Sequence, residues 1–180
     1  MIINLEEILE NGLFLTVAEN PKTFPLLVEM KENGELNSIS PVKTSLKAIR
    51  IKDLVEMEGT IETVIGLSCS RCLTDFDFPV KTDFAFTFTK NLPEYADTYG
   101  KEGKELTAEE MGLIFFKGEK INIQDAVQEQ VILSIPFKAL CSETCKGLCF
   151  NCGKNLNEQA CACDQDKGDI RFSALKTLKT

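Results

Sequence analysis

The chain has 180 residues, eight cysteines, a formal net charge of −8 and no histidine. Without histidine there is no Ser-His-Asp triad, no Cys-His pair, no His-ligated metal and no use of the commonest general base, so a protein that is not an enzyme is expected. The acidic total argues against indiscriminate nucleic-acid binding. No apolar run nears the ~20 residues that span a bilayer, and Met1-Ile-Ile-Asn-Leu-Glu-Glu lacks a basic leader, so a cytoplasmic, reducing setting is expected, without membrane association.

In chain order, Asn4 to Gly12 reads as a short helix, with Asn4 as cap, Glu6 and Glu7 at its positive end and Gly12 as stop. Residues 20–44 hold Pro21, Pro25, Gly34 and Pro41 around the apolar run Phe24 to Val28. They predict loop around one strand. Next, Val55, Met57, Ile61, Ile65 and Leu67 occupy odd positions, while Phe76, Phe78, Val80, Phe84, Phe86 and Phe88 occupy even ones. Alternation with period two predicts two long strands, each with one buried face, joined as a hairpin through Ser68 to Asp75. Pro79 marks a bulge or an edge position.

Residues 91–120 form an acidic excursion, with one short helix expected near Thr107 to Met111. An amphipathic helix is predicted over 122–135, opened by Asn122 and closed by Pro136, with Ile123, Ala126, Val127 and Val131 toward the phenylalanine face of the sheet. Beyond Phe137 the character changes. Residues 141–168 offer few large apolar side chains, chiefly Leu148, Phe150 and Leu156, too few to order the segment by burial alone. Asp169 to Leu178, with apolar residues every three, predicts a short closing helix. The fold class expected is α+β: a mainly antiparallel sheet, one packed amphipathic helix and a C-terminal zinc-knuckle module, divided as 1–136 and 137–180.

The cysteines carry the chemistry. Cys69 to Cys72 and Cys149 to Cys152 are both C-x2-C, and Gly153 follows the second. Two thiolates so spaced converge on one ion, and glycine lets the turn close. Cys161 and Cys163 add a pair downstream; Cys141 and Cys145 stand upstream. Buried unligated thiols would follow core periodicity, whereas these lie among Gly, Asn and Lys. Disulfides are disfavoured by compartment, and a thioredoxin-type dithiol would open a helix after a strand. Two zinc ions with four thiolates each are expected, with iron–sulfur ligation as the alternative. The preferred pairing joins Cys149, Cys152, Cys161 and Cys163, leaving Cys69, Cys72, Cys141 and Cys145, because it needs less loop closure. The alternative joins the two C-x2-C knuckles. Arg71, Lys146, Lys154 and Arg171 are candidates for contacting phosphate or a partner, each weighed against a plain solvated surface.

Two stretches, Cys69-Ser-Arg-Cys72-Leu73 and Cys141-Ser-Glu-Thr-Cys145-Lys-Gly-Leu-Cys149-Phe-Asn-Cys152-Gly-Lys-Asn-Leu-Asn157, resemble the YceD family of bacterial large-subunit ribosomal RNA accumulation proteins. The order of elements along nearly the whole chain is similar as well. The resemblance implies a role in producing or stabilising large-subunit RNA, with that RNA or a large-subunit ribosomal protein as partner. It implies no catalytic residue and no small-molecule substrate. The residues themselves leave a rival open: a redox-sensing zinc–thiolate protein whose oxidation releases metal and exposes a binding surface.

Overall fold

Alternating apolar and polar residues govern most of the chain, and strands dominate accordingly. The computed structural model describes residues 1–90 and 112–163. Its elements are strands β1 (Ile2–Asn4) and β2 (Leu13–Glu19), helix α1 (Pro25–Glu32), strands β3 (Ser38–Ile39), β4 (Val42–Ile51), β5 (Leu54–Ser68), β6 (Asp75–Thr89), β7 (Leu113–Phe115) and β8 (Lys120–Asn122), and helix α2 (Gln124–Leu133). The main sheet runs β2-β4-β5-β6-β7, with β3 also on β5, and β1 pairs separately with β8. Among the described residues every pairing is antiparallel except that of β6 with β7. The fold is α+β and mainly sheet, with two α-helices among the described residues, α1 joining the one packed amphipathic helix that was expected.

The hairpin of β5 and β6 is the spine. Its register runs unbroken from Leu54 opposite Thr89 to Ser68 opposite Asp75. Val55 faces Phe88, Met57 faces Phe86 and Ile65 faces Phe78 on the core side. The other face is polar: Lys81 lies 2.9 Å and Lys43 3.7 Å from Glu62, and Thr60 donates to Asp83. Lys81 beside Glu62 holds that carboxyl below its usual range. Pro79 sits opposite Val64 without a bulge, on a stretch of β6 with no second strand partner among the described residues, so its missing N–H is tolerated. The bulge lies instead at Ser40-Pro41: Ile39 pairs with Ile65 and Lys43 with Glu62, three residues opposing two.

Two expectations near the start of the chain are corrected. Asn4 to Gly12 is not an α-helix; only Leu5–Glu7 turns, as a single 3-10 turn. Leu5 and Ile8 both enter the core, and Asn4 pairs with Lys120 in the β1–β8 ladder, so tertiary burial overrides the local helix signals. Phe24 to Val28 is not a strand. Pro25 occupies the first turn of α1, where its missing donor costs nothing, and Phe24 and Leu27 are fully buried. Residues 42–51 form the long strand β4, and 13–19 form β2.

Helix α2 covers Gln124–Leu133, shorter than 122–135 because Lys120–Asn122 is strand. Asn122 Oδ1 accepts from Gln124 N at 3.1 Å, so Asn122 still marks the start. Ile123, Val127 and Val131 are buried, and α2 packs on β5, β6 and α1. Its Gln128 accepts from Leu26 N at 3.1 Å and so satisfies an N–H in the first turn of α1. Phe84 and Phe86 stack, and Phe88 lies edge-on to Phe86. Most of 91–120, the short helix near Thr107 to Met111 and the closing helix over Asp169 to Leu178 lie outside the described residues.

Candidate metal centres

The β5–β6 hairpin projects its tip, residues 69–74, beyond the sheet, and the chain after α2 returns to meet it. Ser70 N donates to Ala139 O at 2.8 Å, which sets Cys141 against the tip. Farther on, Leu148 N donates to Arg71 O at 3.1 Å. These bonds bring Cys69, Cys72, Cys141 and Cys145 together. Cys149, Cys152, Cys161 and Cys163 form a second group, and within each group all sulfurs lie within 4.8 Å of one another. This is the preferred pairing, not the one that joins the two C-x2-C knuckles.

The spacing has a physical reading. Thiolates arranged tetrahedrally at a Zn–S distance near 2.3 Å stand about 3.8 Å apart. The Cys69–Cys145 and Cys72–Cys141 sulfurs are 3.8 Å and 3.6 Å apart. A disulfide would require about 2.05 Å, and none of the eight cysteines is in one. An all-sulfur donor set suits a soft or borderline ion such as zinc or an iron–sulfur centre and excludes hard cations. Both groups could therefore hold a metal.

Local backbone explains why each C-x2-C converges. In the first, Cys69 N donates to Thr74 O and Leu73 N to Cys69 O; in the second, Cys149 N donates to Lys154 O and Gly153 N to Cys149 O. The two turns are the same. The residue after the second cysteine is left-handed in both, Gly153 at φ +72° and Leu73 at φ +59°. Backbone N–H groups then point at sulfur, as Arg71 N does at Cys69.

The thiols respond to this crowding. Burial pushes the Cys69 thiol up, but hydrogen bonds from the backbone of Cys141, Cys72 and Arg71 outweigh it and bring Cys69 down to about 6. The Thr74 hydroxyl, hydrogen-bonded to Cys72, lowers that thiol. Backbone bonds from Cys152 and Asn151 bring Cys149 to about 6. Cys141 is driven up to about 12, chiefly by its hydrogen bond to Cys72, and Cys163 to about 12, chiefly by Cys152. Each group thus contains a sulfur that ionises readily and one that resists, which is the behaviour of thiols whose negative charges converge. A cation at the centre resolves that conflict.

The other candidates are less concentrated. Arg71 is exposed, but its Nη1 donates to Cys145 O at 2.8 Å, bracing the hairpin tip against the returning chain. Lys146 and Lys154 are exposed. Arg171 lies outside the described residues. Sequence reasoning missed the asparagines. Asn157 Nδ2 donates to Cys145 Sγ at 3.3 Å and Asn157 Oδ1 accepts from Lys146 N at 2.7 Å. Asn155 Nδ2 donates to Thr74 Oγ1 at 3.3 Å. The available signal was their place in the Gly-Lys-Asn-Leu-Asn run, since asparagine bonds to nearby backbone in turns.

An α+β chain with a sheet-borne hairpin clasped to its C-terminal segment by one cysteine quartet, and a second quartet within that segment, defines a class of protein with two groups of thiols that could hold metal. The profile described as "Large ribosomal RNA subunit accumulation protein YceD" matches residues 57–179. The chain belongs to the YceD family. It is 29% identical over 157 residues to the large ribosomal RNA subunit accumulation protein YCED homolog 1, chloroplastic, of Arabidopsis thaliana, covering 78% of this chain and 49% of that protein. The counterpart from Zea mays is 29% identical over 143 residues, covering 69% of this chain and 49% of that protein. Against these two the chain spans about half the length of the relatives it matches. The uncharacterized protein YlbN of Bacillus subtilis (strain 168) is 29% identical over 160 residues, covering 86% of each. No solved structure matches the chain.

Proposed function

We propose that this protein is a zinc-ordered, non-enzymatic factor that supports accumulation of large-subunit ribosomal RNA by binding that RNA or a large-subunit ribosomal protein. The ribosomal part follows from family membership. The mode follows from the chain: no histidine, and all eight cysteines gathered in two quartets. The single observation that carries the metal is the convergence of those sulfurs, all within 4.8 Å of one another in each quartet. Zinc is preferred over an iron–sulfur cluster because twin C-x2-C turns present thiolates to one tetrahedral ion. The cytoplasm, where thiols stay reduced, is the setting.

Lys146, Lys154 and Arg171, with Arg71 at the hairpin tip, are the contact residues of this reading. Each quartet with zinc is formally −2, so phosphate contacts are few and a protein partner supplies much of the affinity. Depletion in cells is expected to lower large-subunit RNA relative to small-subunit RNA. Charge reversal at Lys146 and Lys154 is expected to reproduce the loss in a protein that still folds. An unchanged subunit ratio on depletion overturns the ribosomal role, whereas full function of the charge-reversed variant overturns only this surface.

A second reading, a thiolate redox sensor, is favoured by the Cys72–Cys141 separation of 3.6 Å. With metal gone, those sulfurs need to approach by less than about 2 Å to bond. A peroxide titration separates the readings: metal release at low peroxide together with gained binding supports the sensor.

A further inference from the structure

The two quartets are linked by more than sequence. The loop from Gly153 to Ala160 is bounded at both ends by ligands of the second quartet, Cys152 and Cys161. From that loop two asparagines reach the first quartet. Asn157 donates directly to Cys145 Sγ at 3.3 Å. Asn155 donates to Thr74 Oγ1 at 3.3 Å, and the Thr74 hydroxyl is itself bonded to Cys72. Two of the four sulfurs in one centre are therefore oriented by a loop whose ends belong to the other.

Apolar contact does little to hold the loop. Leu156 is its one large apolar residue, half-buried, and Phe150 beside it is exposed. Its internal order comes from Asn155, whose side chain accepts from Asn157 N and Asn157 Nδ2 and whose carbonyl accepts from Glu158 N and Gln159 N. It is tied to the preceding chain where Leu156 N donates to Gly147 O, Cys149 N to Lys154 O and Lys146 N to Asn157 Oδ1. Closing the loop at Cys152 and Cys161 removes much of its chain entropy. That closure is what an ion in the second quartet supplies.

We infer that metal binding at the second quartet raises the affinity of the first for its own metal, through Asn155 and Asn157 as positioning residues. The inference rests on the proposed metal reading. A hydrogen-bond donor to a metal-bound thiolate, or to the group that orients one, typically matters 10–100-fold in metal affinity. The coupling is reciprocal, because linkage between binding sites is symmetric.

The test uses the full-length chain and cobalt(II), whose visible bands report tetrathiolate coordination, in competition with a chromophoric chelator. Wild-type protein, a Cys161→Ser/Cys163→Ser variant that keeps only the first quartet, and a Cys69→Ser/Cys72→Ser variant that keeps only the second are titrated alongside Asn155→Ala/Asn157→Ala. Wild type is expected to take two ions with positive cooperativity. The first quartet alone is expected to bind about 10–100-fold more weakly than it does when the second is filled. In the asparagine variant the two sites are expected to fill independently, the second with the affinity it has in the Cys69→Ser/Cys72→Ser variant. Amide protection across β5 and β6 checks that each variant keeps its sheet. A wild-type isotherm equal to the sum of the two single-quartet isotherms overturns the coupling. So does an asparagine variant that stays cooperative. A wild-type chain that takes no cobalt overturns the metal reading itself, a separate result from two independent ions.

Discussion

At the scale of single residues, the first quartet depends on backbone conformations that only some side chains accept. Gly147 adopts φ +77°, and a Cβ there would stand 3.1 Å from Arg71 O, the acceptor that joins hairpin to returning chain. Gly147→Ala is expected to destabilise this junction by about 1–2 kcal/mol, the ordinary penalty of a left-handed L-residue. The check is denaturant unfolding, with cobalt affinity read in parallel. Leu73 carries the same conformational burden and is exposed, so Leu73→Gly is expected to be neutral or to raise stability by up to about 1 kcal/mol, since left-handed relief exceeds the added chain entropy only modestly. The cysteines themselves were legible in the sequence because two-residue spacing encodes convergence directly, and loop closure chose their pairing. Thr74, Asn155 and Asn157 were not, because Asn155 and Thr74 meet across 81 positions and Asn157 reaches a sulfur 12 positions back. Arg71 was read as a contact for phosphate or a partner, weighed against a plain solvated surface, and its bond to the Cys145 carbonyl was not legible because the two residues lie 74 positions apart.

At the scale of elements, the hairpin of β5 and β6 was legible since both strands alternate large apolar and polar side chains over most of their length, broken on the core side only at Gly59, Thr63 and Thr82. Strand β4 was not. Its buried face carries Val42, Thr44, Leu46 and Ala48, and the threonine and alanine do not stand out as core. Helix α1 was read as strand because Phe24, Leu26, Leu27 and Val28 form a continuous apolar run, which periodicity cannot assign. The helices meet at a polar joint, and this joint is testable. Gln128 is buried and accepts from Leu26 N, so Gln128→Ala leaves a helix N-terminal donor without its partner. The expected loss is about 1–3 kcal/mol, measured by thermal or denaturant unfolding. The cysteine-rich segment differs from the sheet in what orders it. Cys152→Ser is expected to abolish amide protection after residue 145 while leaving β5 and β6 protected. Cys72→Ser is expected to loosen the contact between the hairpin tip and residues 139–148. Protection of the segment after chelation would show that something other than metal orders it.

At the scale of the whole molecule, two kinds of stabilisation coexist. The sheet and both helices enclose one apolar cluster that includes Phe24, Leu27, Ile61, Phe88 and Val127. The cysteine segment has instead the two quartets, and structural zinc in small peptides is worth roughly 10–16 kcal/mol apparent at neutral pH. Native mass spectrometry of reduced protein is expected to show two ions per chain. Their removal by chelator is expected to cut the cooperative unfolding unit back to the sheet rather than to unfold the chain outright. One ion or none would contradict the pairing of all eight thiols. Because thiolates must lose protons to bind, metal retention is expected to fall as pH falls and to be complete at neutral pH.

The separation of 69 residues between Cys72 and Cys141 also has a consequence in time. Chains emerge from synthesis at roughly 5–20 residues per second, so the hairpin tip waits on the order of 4–14 s before its partner thiols exist. During that interval the sheet can close, since β4, β5 and β6 lie wholly upstream, but Cys69 and Cys72 stand as an unpaired dithiol. The second quartet, spread over 15 consecutive positions, completes itself almost as soon as it appears. The clasp that joins the hairpin tip to the chain after α2 is therefore among the last features to form. A young chain passes through a stage in which its sheet is finished and its two thiols are still open to oxidant or to the wrong ion.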